Sequence, residues 1–280
     1  MLVRVLHRPY FLLFCLCLLF SLKCYGAEAT KPIEFVIVVP SYNNEKWCLK
    51  NLQSIFNQTY PHFTVHYIND CSTDATKELV DGFINDNGLG PKSVITHNST
   101  RRGAMANLYT AIHEIAPGKV VVAVDGDDFL AHDRVLELLA RVYQDTTVWM
   151  THGNYLTEPF TKTSYCKAYS QKVMKKRAFR RQRLYMGCQL RTFYAKLFHL
   201  INQNDLMWKG AYLPTTYDLA MMFPMLEMAS QGHIQFIKEP IYIVNTANPI
   251  SDNKQRLQLQ QQLDRRLRRM PLYKPLKQLF

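Results

Sequence analysis

Three carboxylates crowd into four residues of this chain: Asp125, Asp127 and Asp128 in the run VDGDDF. Residues 120–124 before them read VVVAV, and Phe129 and Leu130 follow. Like charges this close repel, so each raises the cost of ionising the others. A divalent cation, which prefers hard oxygen ligands, would neutralise them. The competing reading is a solvated acidic turn, because Asp and Gly both favour turns. The apolar lead-in favours the metal, since a short unbroken apolar run is the pattern of a strand buried on both faces. Carboxylates at the end of such a strand stand at the carboxyl edge of a sheet, where open α/β sheets bind ligands.

Other candidates lie at similar junctions. Asp70 follows the strand expected at 63–68, and the next helix can be capped by Ser72 or Thr73, which leaves Asp70 free for a ligand. Arg101 and Arg102 open a helix from NSTRRG and would either meet a phosphate or be solvated. Thr215 and Asp218 fit a capping box in its broader form. The same acid at a helix start is kept anionic by the dipole. Glu227 lies nine residues on in the same helical pattern, and Pro224 between them either kinks the helix or marks its start.

The elements that position these groups follow from periodicity. Residues 33–39 read as a buried strand closed by Pro40. The polar loop Ser41, Tyr42, Asn43, Asn44 follows, then a helix with apolar positions at Trp47, Leu49, Leu52, Ile55 and Phe56. Strands at 63–68, 93–96, 120–124 and 148–152 alternate with helices at 75–84, from 98 through 112, and at 131–143. Unbroken alternation predicts an α/β fold with a doubly wound, mostly parallel sheet. Beyond residue 155 the pattern is irregular. Residues 188–200 read as a helix, 234–237 and 241–244 as a strand pair or bend, and 254–269 as an amphipathic helix with a basic face. That helix is expected to pack on the body, with an anionic membrane or a partner as alternatives.

The 280 residues are 48% hydrophobic and carry a net charge of +12, which points to a phosphate-bearing or polyanionic partner. Residues 171–183, QKVMKKRAFRRQR, have seven basic residues and no acid. A mobile solvated segment, an anionic acceptor site, a phosphate clamp and a membrane-facing surface all fit them. No nucleic-acid-binding module surrounds them, which argues against nucleic acid. Residues 1–29 have a basic start, an apolar stretch at 10–22 and a small-residue site at 27–29, the layout of a secretory signal peptide. A retained signal anchor is the alternative, although the stretch is short for a span. Either places the chain in the secretory pathway, exported or anchored, with a cytosol-facing domain disfavoured by Arg4 and Arg8. Beyond the leader, Cys48, Cys71, Cys166 and Cys188 allow up to two disulfides in three pairings.

Four motifs in order, VVPSYNNE, QTYPHFTVHYINDCSTD, NSTRRGAMANLYTAI and VVVAVDGDDFLAHDRVLE, resemble the nucleotide-sugar-binding half of a family 2 glycosyltransferase with the GT-A fold. The resemblance covers roughly residues 33–155. It implies a Rossmann-like sheet of the nucleotide-diphospho-sugar transferase type, with 30–155 as donor half, 156–250 as acceptor half and 251–280 as a basic tail. It implies that Asp125 and Asp127 hold Mn²⁺ or Mg²⁺ on the diphosphate of a UDP-sugar or similar donor, with Asp128 beside them. Pro40, Ser41, Tyr42, Asn43 and Asp70 would hold the nucleoside. Arg102 or Arg191 would face the diphosphate, although the family's Gln-x-x-Arg-Trp motif is absent and Arg191 sits in a different Leu-Arg-Thr-Phe run. Asp218 would be the base of an inverting transfer to a hydroxyl acceptor, a role that suits a carboxylate kept anionic at a helix start, with Glu227 as the alternative base. Two competing classes remain: an exported, non-catalytic binder of polyanions or membranes, and a nucleotidyltransferase. The second lacks the Gly-rich, basic phosphate loop expected after the first strand.

Overall fold

The computed structural model describes residues 31–159 and 162–280, so the leader expected at 1–29 lies outside the described residues. Pro32–Phe280 form one unit. Its first part runs β1 (Phe35–Ser41), α1 (Cys48–Phe56), β2 (Phe63–Asn69), α2 (Thr76–Asp86), β3 (Ser93–His97), α3 (Ala104–His113), β4 (Val120–Ala123), β5 (Phe129–Leu130), α4 (Val135–Tyr143) and β6 (Met150–Glu158). The remainder comprises α5 (Gln171–Lys176), β7 (Arg191–Tyr194), α6 (Ala195–His199), the short pair β8 (Met207–Trp208) and β9 (Ala211–Tyr212), α7 (Tyr217–Met228), β10 (Ile234–Asn245), α8 (Asp252–Gln255) and α9 (Leu257–Arg269).

Eight strands form one mixed, mostly parallel sheet in the order β3-β2-β1-β4-β7-β6-β10-β5. Alternate residues of β1 feed two core layers. Val36 and Val38 pack with α3, α6 and α7, while Phe35, Ile37 and Val39 pack with α1, α2 and α4. This two-sided burial is why 120–124 is an unbroken apolar run: Val121 enters the first layer, and Val120, Val122 and Val124 the second. The chain order reverses direction at β1, which lies between β2 and β4, so a crevice opens beyond their carboxyl ends. The parallel ladder continues past β4, with Val124 N–H donating to Val38 O at 3.1 Å and Gly126 N–H to Pro40 O at 3.2 Å. Gly126 is required by this approach: a Cβ there would stand 2.7 Å from Ser41 Cβ and 2.8 Å from Asn44 Nδ2.

The structure corrects three expectations in the second half. Residues 188–200 are not one helix: β7 inserts antiparallel between β4 and β6, and only Ala195–His199 are helical. The run Thr192-Phe193-Tyr194 is β-branched and aromatic, which suits a strand. The segments around Lys238-Glu239-Pro240 are one strand, β10, whose register with β6 shifts there. The capping box at Thr215 does not form. Thr216 occupies the cap position with φ 62° and no side-chain cap, and α7 runs on through Pro224, buried from Leu219 to Met228. Helix 254–269 does pack on the body, through Leu263 and Leu267.

Glu227 is fully buried in α7 and binds Arg180 with both oxygens, at 2.6 and 3.0 Å. Its Oε2 also accepts the Tyr273 N–H at 3.0 Å. It therefore joins α7 to the 178–181 turn and the C-terminal segment, and it lines neither of the cavities described below. A carboxylate so committed has no oxygen turned to an acceptor, so the geometry removes Glu227 as the alternative base. Glu227→Ala should lower stability by about 3–5 kcal/mol, because it strands a buried guanidinium. The check is urea unfolding, and a loss under about 1 kcal/mol would mean that the pair does not hold these elements together.

Candidate functional site

The three acids occupy a turn between β4 and β5, and each is held differently. Asp125 is tied by protein donors. Its Oδ1 accepts from the Tyr217 hydroxyl at 2.7 Å, and its Oδ2 from Gln189 Nε2 at 2.8 Å and Arg191 Nη2 at 3.3 Å. Asp128 is buried, and its Oδ1 accepts from Asn245 N–H at 2.7 Å, which fastens the turn to the end of β10. Burial, with Asp127 and Asp125 beside it, pushes the Asp128 carboxyl well above the ordinary range. Asp127 has one side-chain hydrogen-bond partner among the described residues, Asn248 Nδ2 at 2.7 Å. Burial pushes its pKa up to about 6, with the Asn248 bond opposing and Asp125 adding to the rise.

Asn51 holds the turn from below. It is a fully buried polar residue on the core face of α1, and its Nδ2 donates to Asp128 O at 2.7 Å and Asp125 O at 3.1 Å. Sequence reasoning missed Asn51, Gln189 and Asn248. For Asn51 a signal existed: a polar residue at a core-facing helical position needs a buried partner. For the other two, contacts spanning 64 and 121 residues leave no local trace.

Arg191 is almost fully buried. The β7 register sets it opposite Ala123, at the end of β4. Its guanidinium lies 3.3 Å from Asp125 and 3.9 Å from Asp218, and its Nε donates to Gln189 Oε1 at 3.0 Å. Asp218 is the second residue of α7, with its side chain about a third exposed (36%). Desolvation raises its pKa, while Arg191 and the backbone N–H of Leu219 oppose the rise.

Two cavities meet at these acids. One, of about 350 Å³, is bounded by Pro40, Ser41, Tyr42 and Asn44 on one side and by Asp70, Arg101 and Arg102 on another. The other, of about 440 Å³, is lined by Asp218, Arg191 and Asp128 and by Tyr155, Tyr165 and Tyr185. Asp125, Asp127 and Tyr217 border both.

In the smaller cavity Asp70 has a double role. Its Oδ1 accepts from Arg102 N–H and Asn98 Nδ2, and its Oδ2 from Gly103 N–H, all at 2.8 Å. It thus caps the start of α3; burial would raise its pKa, but these bonds outweigh that and lower it. Arg102 sends its guanidinium to Thr110 at 3.1 Å, and the Arg101 guanidinium stacks 3.7 Å over the Tyr42 ring. Asn43 does not line the cavity. It sits at φ 51° and ties the loop after β1 to the loop after β2 through Ser72 and Thr73, and Asn44 faces the cavity in its place.

Among the described residues, no group of three or more His, Cys, Asp or Glu side chains is arranged to hold a metal ion alone. The donor set nevertheless fits a cation of the Mg²⁺ or Mn²⁺ kind, which commonly uses one or two carboxylates plus substrate phosphates. Asp127 is the carboxylate available for it, since the oxygens of Asp125 are engaged by Tyr217, Gln189 and Arg191.

A carboxyl whose folded pKa exceeds its unfolded value binds its proton more tightly when folded. Asp127 therefore costs stability as pH rises from about 4 to about 6. Asp127→Asn removes that penalty, so in metal-free buffer its urea midpoint should gain on wild type between about pH 4 and pH 7. An unchanged gap across that window would contradict the environment described for Asp127.

Residues 36–205 match the family described as Glycosyl transferase family 2. A glycosyltransferase of Haemophilus influenzae is 33% identical over 119 residues, 42% of this chain and 46% of that protein. The poly(ribitol-phosphate) beta-N-acetylglucosaminyltransferase TarS of Staphylococcus aureus is 33% identical over 110 residues, 39% of this chain and 18% of TarS. The chain spans less than half the length of either relative. The crystal structure of S. aureus TarS 1–349 with UDP shares the fold at TM-score 0.55 and 19% identity, over 84% of this chain and 64% of that one. GalNAc-T7 with UDP, GalNAc and Mn²⁺ does so at TM-score 0.51 and 15% identity, over 77% and 44% of the two chains. The four sequence motifs, the sheet they build and these likenesses agree: the chain has the GT-A fold and belongs to glycosyl transferase family 2.

Proposed function

We propose that the chain is a metal-dependent, inverting glycosyltransferase that moves a sugar from a nucleotide-diphosphate donor to a hydroxyl acceptor. The observation that carries this is the meeting of two cavities at Asp125 and Asp127, with Asp218 in only the larger one. The smaller cavity has the features of a nucleoside site: a Tyr42–Arg101 stack at its rim and the anionic Asp70 at its base. A UDP-sugar is the favoured donor, supported by the UDP complexes of TarS and GalNAc-T7.

Asp127 would hold Mn²⁺ or Mg²⁺ together with donor phosphate oxygens, and the cation would supply Lewis-acid stabilisation of the departing diphosphate. Arg191 is a fixed, buried cation beside the same junction and faces the charge that grows on that leaving group. Asp218 takes the proton from the acceptor hydroxyl as it attacks the opposite face of the sugar. Its raised pKa makes it a better base than an ordinary carboxylate, and Arg191 opposes the rise. Asp125 is the hub that orients Arg191, Gln189 and Tyr217, while Asp128 and Asn51 fix the turn.

The Cys166–Cys188 disulfide supports an oxidising compartment, as does the leader at 1–29, so we place the domain in the secretory pathway, exported or held at a membrane by its N-terminal segment.

The test is nucleotide release from a panel of UDP- and GDP-sugars with Mn²⁺. Wild type should release nucleoside diphosphate rather than pyrophosphate. Asp218→Asn should lower turnover by roughly 10²–10⁴-fold while leaving UDP affinity in Mn²⁺ unchanged. Asp127→Ala should instead abolish the Mn²⁺ dependence of UDP binding. Full turnover in Asp218→Asn would overturn the base assignment, and pyrophosphate release would overturn the reaction class.

A further inference from the structure

Between Glu158 and Asp205 the chain contains no acidic residue, and none follows Asp264. These two stretches are far apart in sequence but joined in the fold. Arg180, buried against Glu227, donates through Nη1 to Leu267 O in α9 at 2.5 Å. Arg268 of α9 donates back through Nη1 to Arg180 O at 2.9 Å and Gln182 O at 2.7 Å. Arg177 reaches Tyr273 O at 2.6 Å. Arg177, Arg180 and Arg268 are therefore spent on joining the two stretches, and seven other cations face outward. Lys172, Lys175, Lys176, Arg181 and Arg183 are exposed on one stretch, Arg265 and Arg269 on the other. None of these seven has a carboxylate partner among the described residues; the one acid of α9, Asp264, pairs with Arg268.

This surface leads into the larger cavity. Tyr185, Gly187 and Cys188, just after Arg183, line its wall, and so does Gln260 from α9. On α9, Gln260 shares the side of Leu263 and Leu267, while Arg265 and Arg269 lie roughly 140° and 180° round the helix from it. The α9 cations therefore adjoin the cavity through the 180–183 segment, which Arg268 holds against the helix. A membrane-adsorbed helix would turn its apolar stripe to the lipid. In α9 that stripe, Leu263 and Leu267, is buried against the body, and beyond the exposed Leu257 at its start the helix offers mainly Gln and Arg side chains outward.

We propose that residues 171–183 and α9 form one cationic track that receives a soluble polyanionic chain, a polymer with regularly spaced sulfate, phosphate or carboxylate groups, and delivers one of its hydroxyls to Asp218. The track names the acceptor class and rests on the transfer reading above. Unpaired like charges on one face repel one another, and a polyanion relieves that cost while raising the local concentration of acceptor.

The test uses fluorescein-labelled dextran sulfate, uncharged dextran, and phosphatidylcholine vesicles with about 30% phosphatidylserine. The proteins are wild type, a charge-reversed variant (Lys175→Glu, Lys176→Glu, Arg265→Glu, Arg269→Glu) and its Gln counterpart, which guards against misfolding. Wild type should bind dextran sulfate with an affinity that falls steeply with salt, and should ignore uncharged dextran. Both variants should bind at least about tenfold more weakly and keep wild-type UDP affinity in Mn²⁺. Hydrogen exchange should show the polymer protecting 171–183, 257–269 and the cavity segment 185–189. Equal binding by wild type and variants, or protection that spares 185–189, would overturn the track. So would sedimentation of wild type with the vesicles that dextran sulfate fails to compete away, which would assign the face to a membrane. Absence of UDP binding in wild type, with the polymer results intact, would overturn the transfer reading and with it the word acceptor.

Discussion

A single buried guanidinium holds the two halves of the site in register. Arg191 lies 3.3 Å from Asp125, just beyond the end of β4, and 3.9 Å from Asp218, in the first turn of α7. A buried cation flanked by carboxylates is strongly destabilising to leave unpaired, so the fold must bring these three groups together or abandon all of them. That requirement explains why β7 runs antiparallel beside β4, since the pairing of Ala123 with Arg191 is what sets the guanidinium at the strand end. It also divides the work among the acids. Asp125 is neutralised by the protein itself, and Asp127 keeps the capacity to meet an added cation.

The first half of the fold was legible in the sequence because its signals are local. Apolar runs at 33–39 and 120–124 and the alternating run at 63–68 marked the strands, and the polar residues after each run marked the crevice lining. The expectation for Asn43 shows the limit of such reasoning. The loop was right, but which of two adjacent asparagines faces the cavity depends on a positive φ and on partners thirty residues away. Asn51 lies at the same limit. Only the buried turn 74 to 77 residues further on makes a polar side chain on a core helix face favourable.

The second half was less legible, because its elements are short and specified by long-range pairing. Residues 191–199 carry apolar spacing that fits a helix, yet four of them complete a sheet whose neighbours come from β4 and β6. Asp218 does lie at a helix start, although the cap expected for it from Thr215 does not form. Glu227 shares that helix and carries the same chemical group, but it is enclosed with Arg180. Periodicity cannot separate an acid at the mouth of a cavity from one inside the core when the helix between them is buried on all sides.

The central claim is that Asp127 and the cavity of Tyr42, Asp70 and Arg101 form the donor site, and that Asp218 faces a separate acceptor site. The most direct measurement is a crystal structure with UDP and Mn²⁺, with the metal located by its anomalous scattering. The account predicts a manganese peak beside the Asp127 carboxylate, bridged to the UDP phosphates, with uracil between the Tyr42–Arg101 stack and Asp70. Uridine lodged against Tyr165 and Tyr185, or manganese held away from Asp127, would contradict it.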